Sequence, residues 1–136
     1  MNYIIDTDIL IYFLKNHPLV VEQFSKHSLS ELATTRINAA ELLYGAHNST
    51  INPQRSLAVH RSLLKELDIY EFKEAASEVY SSEKSWLKKK GKIIDDMDLM
   101  IASVCLAESK TLITNNTKHF QRIRGLNIEN WAVDTL

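Results

Sequence analysis

Four short apolar runs punctuate the chain: YII at residues 3–5, LATTRI at 32–37, IYEF at 69–72 and TLIT at 111–114. Two helical segments separate each run from the next. Thr7 to Lys15 fills the first gap with a helix from Pro18, a residue suited to a first turn, to about Lys26. Asn38 to His47 fills the second with a helix through about Leu67, opened by the cap-and-proline pair Asn52-Pro53. Glu74 to Lys90 and Asp98 to Ser109 fill the third, with Gly91 suited to end the longer of them in the left-handed conformation. LNIENW, residues 126–131, reads as an edge strand. Strands alternating with helices imply an α/β fold whose parallel sheet is covered on both faces. No repeat, low-complexity tract or linker interrupts the pattern, so one domain over residues 1–136 is expected.

In such folds ligands bind beyond the carboxyl ends of the strands. Acids and amides recur at those places: Asp6 after YII, Glu41 one turn beyond TTRI, Asp98 at the helix leading back to TLIT, and Asn115 and Asn116 after it. Each has a structural explanation as well. Asp6 suits an N-cap. Asn38 and Glu41 have the spacing of a capping box. Asp95 and Asp98 repeat that spacing, and Asp8 and Asp96 suit solvated first turns. Asn116 suits a turn. Taken together, several acids gathered at one end of a sheet would repel one another, and they require protons or cations. An all-oxygen set favours a hard ion, Mg²⁺ or Mn²⁺.

Composition removes other chemistries. A formal net charge of -1 argues against general polyanion binding and confines any nucleic-acid contact to local patches, such as Lys84 to Lys92 or Lys118 to Arg124. The five histidines and the single Cys105 lack zinc-site spacing. Three glycines make neither a phosphate-cradling loop nor a dinucleotide fingerprint. The lone Cys105 reads as a small buried residue and suits a reducing cytosol. Asp6 and Asp8 break the apolar N-terminal run, so neither a signal peptide nor a membrane span is expected, and the chain reads as a cytoplasmic protein.

The segments YIIDTDILIYFL, NAAELLYGAHNS, GKIIDDMDLMIAS and TLITNNTKHFQRIRGLNIENW together resemble the PIN-domain ribonucleases, specifically the VapC-type toxins of bacterial toxin–antitoxin modules. The resemblance implies a single-domain α/β/α sandwich with a central, mainly parallel sheet. It also implies an acidic pocket that holds Mg²⁺ or Mn²⁺ and cleaves RNA to 5′-phosphate and 3′-hydroxyl ends. By motif, Asp6, Glu41 and Asp98 match the family's metal-binding catalytic acids. Asn116 falls where many members carry a fourth acid, and Asp8 where an Asn is more usual. Further implications are a partner antitoxin, a homodimer, and a tRNA or rRNA substrate. An antitoxin cation would enter the pocket and its helix an apolar groove, with Tyr12, Phe13, Leu43 and Tyr44 as candidate contacts. Two alternatives stand beside this reading. IIDTD is similar to the nucleophile strand of haloacid-dehalogenase phosphatases, with Asp6 as nucleophile. A non-catalytic binding module with an acidic pocket is the other.

Overall fold

The computed structural model describes residues 2–134. Strands β1 (Tyr3–Ile5), β2 (Ala33–Thr35), β3 (Asp68–Tyr70), β4 (Thr111–Ile113) and β5 (Ile128–Glu129) form one sheet. Its order is β3-β2-β1-β4-β5, and every pairing is parallel. Successive residues of a strand face opposite ways, so Ile4 and Ile5 enter two different cores. On one face Ile4, Ala33 and Leu112 pack with Ala76 and Leu87 of α5 (Glu74–Lys89) and with Leu99, Ile101, Ala102 and Cys105 of α6 (Asp96–Ala107). On the other face Ile5 and Ile113 meet Ile9 and Leu10 of α1 (Thr7–Leu14), and Val20 and Phe24 of α2 (Pro18–Ser25). Leu42 of α3 (Arg36–His47), Leu63 of α4 (Pro53–Glu66) and Trp131 complete that core. The fold is the expected α/β/α sandwich. Among the described residues no helix is long and apolar enough to cross a membrane.

Several boundaries differ from expectation. Strand β2 stops at Thr35, and Arg36 and Ile37 belong to α3. The cause is Thr35 itself, extended at φ -105°, ψ 163°, whose hydroxyl accepts the Asn38 N–H at 3.1 Å and so caps the helix. Strand β5 keeps two of the six residues expected. A one-turn helix α7 (Thr117–Phe120) and a 3₁₀ turn at Leu29–Glu31 are additional.

The end of α5 follows the expected chemistry. Gly91 adopts φ +69°, its N–H donates to Lys88 O and the Lys92 N–H to Leu87 O, a pattern that satisfies the last carbonyls of a helix. The chain then runs through Ile94, buried, to Asp95, which caps α6 by accepting from the N–H groups of Met97 (3.1 Å) and Asp98 (3.3 Å). That turn aims the first residues of α6 at the carboxyl end of β1.

Candidate active site

Asp6 sits where β1 ends. Its N–H still donates to Ile113 O, as a strand residue would, while its side chain caps α1. The carboxylate is buried and held from three elements. Oδ1 accepts from the Thr7 N–H at 2.9 Å and from Asn38 Nδ2 at 2.8 Å; Oδ2 accepts from Thr114 Oγ1 at 2.7 Å. A carboxylate has about four lone-pair sites, so Oδ1 is filled and Oδ2 keeps one.

Glu41 lies in the second turn of α3, six residues in. That is too far from the helix start for a capping box, and the expected capping role for Asn38 and Glu41 is corrected: Thr35 is the cap. Glu41 Oε1 accepts instead from Thr7 Oγ1 at 2.8 Å. Asp98 is the third residue of α6, in the first turn where the helix dipole favours negative charge. Its Oδ2 lies 3.8 Å from His119 Nδ1, and the Asn116 side chain meets that same ring nitrogen at 3.2 Å. The Asn116 N–H donates to Thr114 Oγ1, which ties the end of β4 back to Asp6.

The other acids sort by partner. Asp8 is not a solvated first-turn residue: its side chain is part-buried and accepts from the N–H groups of Ile9 (2.7 Å) and Asn115 (3.1 Å). Asp96 is exposed and pairs with Lys84 at 2.9 Å and the Tyr80 hydroxyl at 3.1 Å, away from the other acids. Burial and mutual repulsion raise the proton affinity of the cluster. Asp6 is raised chiefly by burial, Glu41 by burial and then Asp6 and Asp98, and Asp98 by burial and then Asp6 and Asp95. Asp8 is pushed up to about 7 by burial and the Asp6 charge. Cys105, on the α6 side of the sheet, is buried and its thiol is pushed up by the same desolvation, which rules it out as a nucleophile.

The donor set suits a hard divalent cation. It is oxygen-only, carries several negative charges, and each of Asp6, Glu41 and Asp98 retains an unfilled acceptor site. Among the described residues no three such groups form a ready-made cage.

Asn38, Thr7 and Thr114 are the site residues that reasoning from sequence did not pick out, and His119 is expected there only as part of the basic patch Lys118 to Arg124. Hydroxyl residues beside an acid or an amide at a strand end were the available signal, in Asp6-Thr7 and in Thr114-Asn115. Of the four groove candidates, Tyr12 and Phe13 pack against the core, Phe13 stacked on Phe24 at 4.2 Å. Leu43 is half-buried, and Tyr44 stands 69% exposed.

A family model described as PIN domain matches residues 3–126. The chain belongs to the PIN-domain family. This PIN domain is similar to Ribonuclease VapC2 of Haemophilus influenzae, 33% identical over 132 residues that cover 97% of this chain and 99% of the relative. It is 29% identical to the tRNA(fMet)-specific endonuclease VapC of Shigella flexneri, with 97% and 99% covered. Among solved structures it superposes with TM-score 0.86 on VapBC2 from Rickettsia felis bound to a DNA fragment from their promoter. That chain is 34% identical, with 96% of the PIN domain and 99% of the neighbour covered. The phosphatase alternative has no support in these likenesses.

Proposed function

We infer that this PIN domain is a metal-dependent ribonuclease toxin, neutralised by a partner antitoxin. The observation that carries the reading is the placement of Asp6 at the end of β1, Glu41 on α3 and Asp98 on α6 close enough for their charges to act on one another: burial raises the proton affinity of all three, and the Asp6 charge raises Glu41 and Asp98 further. Such a cluster stores repulsion that a cation relieves. The VapC ribonucleases it resembles over nearly their full length supply the substrate class, and the VapBC complexes supply the partner.

Asp6, Glu41 and Asp98 would hold Mg²⁺ or Mn²⁺. The bound ion supplies a water of lowered pKa and offsets charge on the scissile phosphate. Asp6 would present its remaining Oδ2 lone pair, its plane fixed by Thr7, Asn38 and Thr114. Asn116, its Nδ2 held on His119 Nδ1, would act through water. A groove of about 610 Å³ between α5 and α6 is lined by Lys84, Lys88, Lys92, Ile94 and Leu99, with Asp95 and Asp96 at its edge. Lys88 and Lys92, which are not paired with Asp96, would attract the phosphates of an RNA strand. A tRNA or rRNA substrate, a homodimer and a cytoplasmic setting complete the reading.

Purified cellular RNA incubated with the protein in Mg²⁺ or EDTA, beside Asp6→Asn and Asp98→Asn, tests it. Cleavage should require metal and vanish in both variants while the far-ultraviolet spectrum stays native. Undiminished cleavage by Asp98→Asn would overturn the site. Co-expression with a neighbouring antitoxin should give an inactive co-purifying complex, and recovery of free active protein alone would overturn the toxin assignment.

A further inference from the structure

We propose that Asn38 is a positioning residue that sets two of the acids, Asp6 and Glu41, through a single buried amide. Asn38 is fully buried, in the first turn of α3 at the sheet end. One Nδ2–H donates to Asp6 Oδ1 at 2.8 Å and the other to Thr7 Oγ1 at 2.9 Å. Its Oδ1 accepts from Thr35 Oγ1 at 2.7 Å, and its own N–H returns to that hydroxyl at 3.1 Å. The amide has one orientation only. Reversed, its oxygen would face the Asp6 carboxylate with no proton between them.

The consequence reaches Glu41 by proton counting. A hydroxyl carries one proton. Because Asn38 fills an acceptor site of Thr7 Oγ1, that proton is directed elsewhere, and the hydroxyl donates it to Glu41 Oε1, 2.8 Å from Oγ1. Asn38 therefore orients Asp6 directly and Glu41 through Thr7. By filling the second site on Asp6 Oδ1 it also leaves Oδ2 as the oxygen free to face an ion. Thr35, which holds the amide from behind, is itself fully buried and fixed as the cap of α3. The arrangement is a rigid bracket built from β2 and α3 that needs no ion to form.

The inference rests on the metal-dependent reading above, and its test separates the two. Mn²⁺ titration of the RNA-free protein, followed by electron paramagnetic resonance, is run for wild type, Asn38→Ser, Thr7→Val and the double variant, with cooperative unfolding as the fold control. Outer-shell partners of metal ligands typically carry 10–100-fold in metal affinity. Asn38→Ser should lose on the order of 10-fold or more and Thr7→Val less, and the double variant should be no weaker than Asn38→Ser, since both act along one path. In the metal-free wild type, both Asn38 side-chain amide protons should exchange slowly by NMR, and Thr7→Val should shift one of them selectively. Wild-type Mn²⁺ affinity in folded Asn38→Ser, with RNA cleavage intact, overturns the positioning role and leaves the nuclease reading standing. If Asn38→Ser does not fold, unchanged affinity in Thr7→Val overturns it instead. A wild type that neither binds Mn²⁺ nor cleaves RNA overturns both.

Discussion

Asp8 couples the site to pH in a direction opposite to that of most surface carboxylates. Its folded-state value is about 7 against an ordinary aspartate value of 3.8, so the folded chain holds a proton that the unfolded chain has released. Stability from this group is complete below pH 3.8 and is lost as pH rises toward 7. Metal-free protein should therefore unfold at lower temperature at pH 8 than at pH 5. Asp8→Asn should flatten that slope and gain about 2 kcal/mol at pH 8, a figure discounted for the water-facing side of the site. Calorimetry in EDTA at the two pH values checks both statements. Glu41→Gln isolates charge from geometry: the amide oxygen still accepts from Thr7, so the melting temperature should hold while Mg²⁺-dependent cleavage falls at least tenfold. Normal cleavage by Glu41→Gln would remove Glu41 from the ion. The three acids stand out in the sequence as candidates because a carboxylate beside an apolar run is conspicuous. Asn38 and Thr114 were not, since amides and hydroxyls at strand ends look the same whether they cap a helix or brace a carboxylate. Asn38 was misread for that reason, and only the position of Thr35 distinguishes the roles.

Two turns flank the segment that delivers Asp98, and each makes a separable prediction. No atom lies within 4 Å of a side chain added at Gly91, so Gly91→Ala tests conformation alone. With φ at +69° the substitution should cost about 1 kcal/mol in urea unfolding, and no loss would mean the turn relaxes freely. Asp95 caps α6 while adding repulsion to Asp98 and Glu41. Asp95→Asn keeps the cap and should leave stability near wild type, whereas Asp95→Ala should lose about 1 kcal/mol. Equal stability of the two variants in metal-free urea titrations would show that the cap contributes nothing. Helices of two turns or more were readable from apolar spacing, Pro18, Asn52-Pro53 and Gly91. The helix of Thr117–Phe120 was not, because a single turn generates no period to detect. Strand β5 was overdrawn for a related reason: Trp131 is buried in the far core rather than continuing the ladder, and apolar character alone does not separate the two.

At the scale of the molecule, the acids make the metal-free state the strained one. An ion that binds only the folded chain stabilises it by about 2.7 kcal/mol at one hundred times its Kd. Mn²⁺ should thus raise the melting temperature of wild type and leave Asp6→Asn unmoved; equal shifts in both would place the ion elsewhere. The parallel sheet was legible from strand and helix alternation, but its order was not, because three-residue strands carry too little pattern to fix their neighbours. That order has a consequence for how the protein comes into being. The first strand made, β1, lies in the middle of the sheet, and its flank β4 follows only after β2, β3 and six helices, α1 to α6. The Asp6 carboxylate and the Thr114 hydroxyl that orients it are 108 residues apart in the chain. At about 5–20 residues per second a ribosome needs roughly 5–20 s to join them. For all that time the emerging polypeptide carries its principal acid without the hydroxyl that aims it, so the site is completed only once synthesis has passed β4.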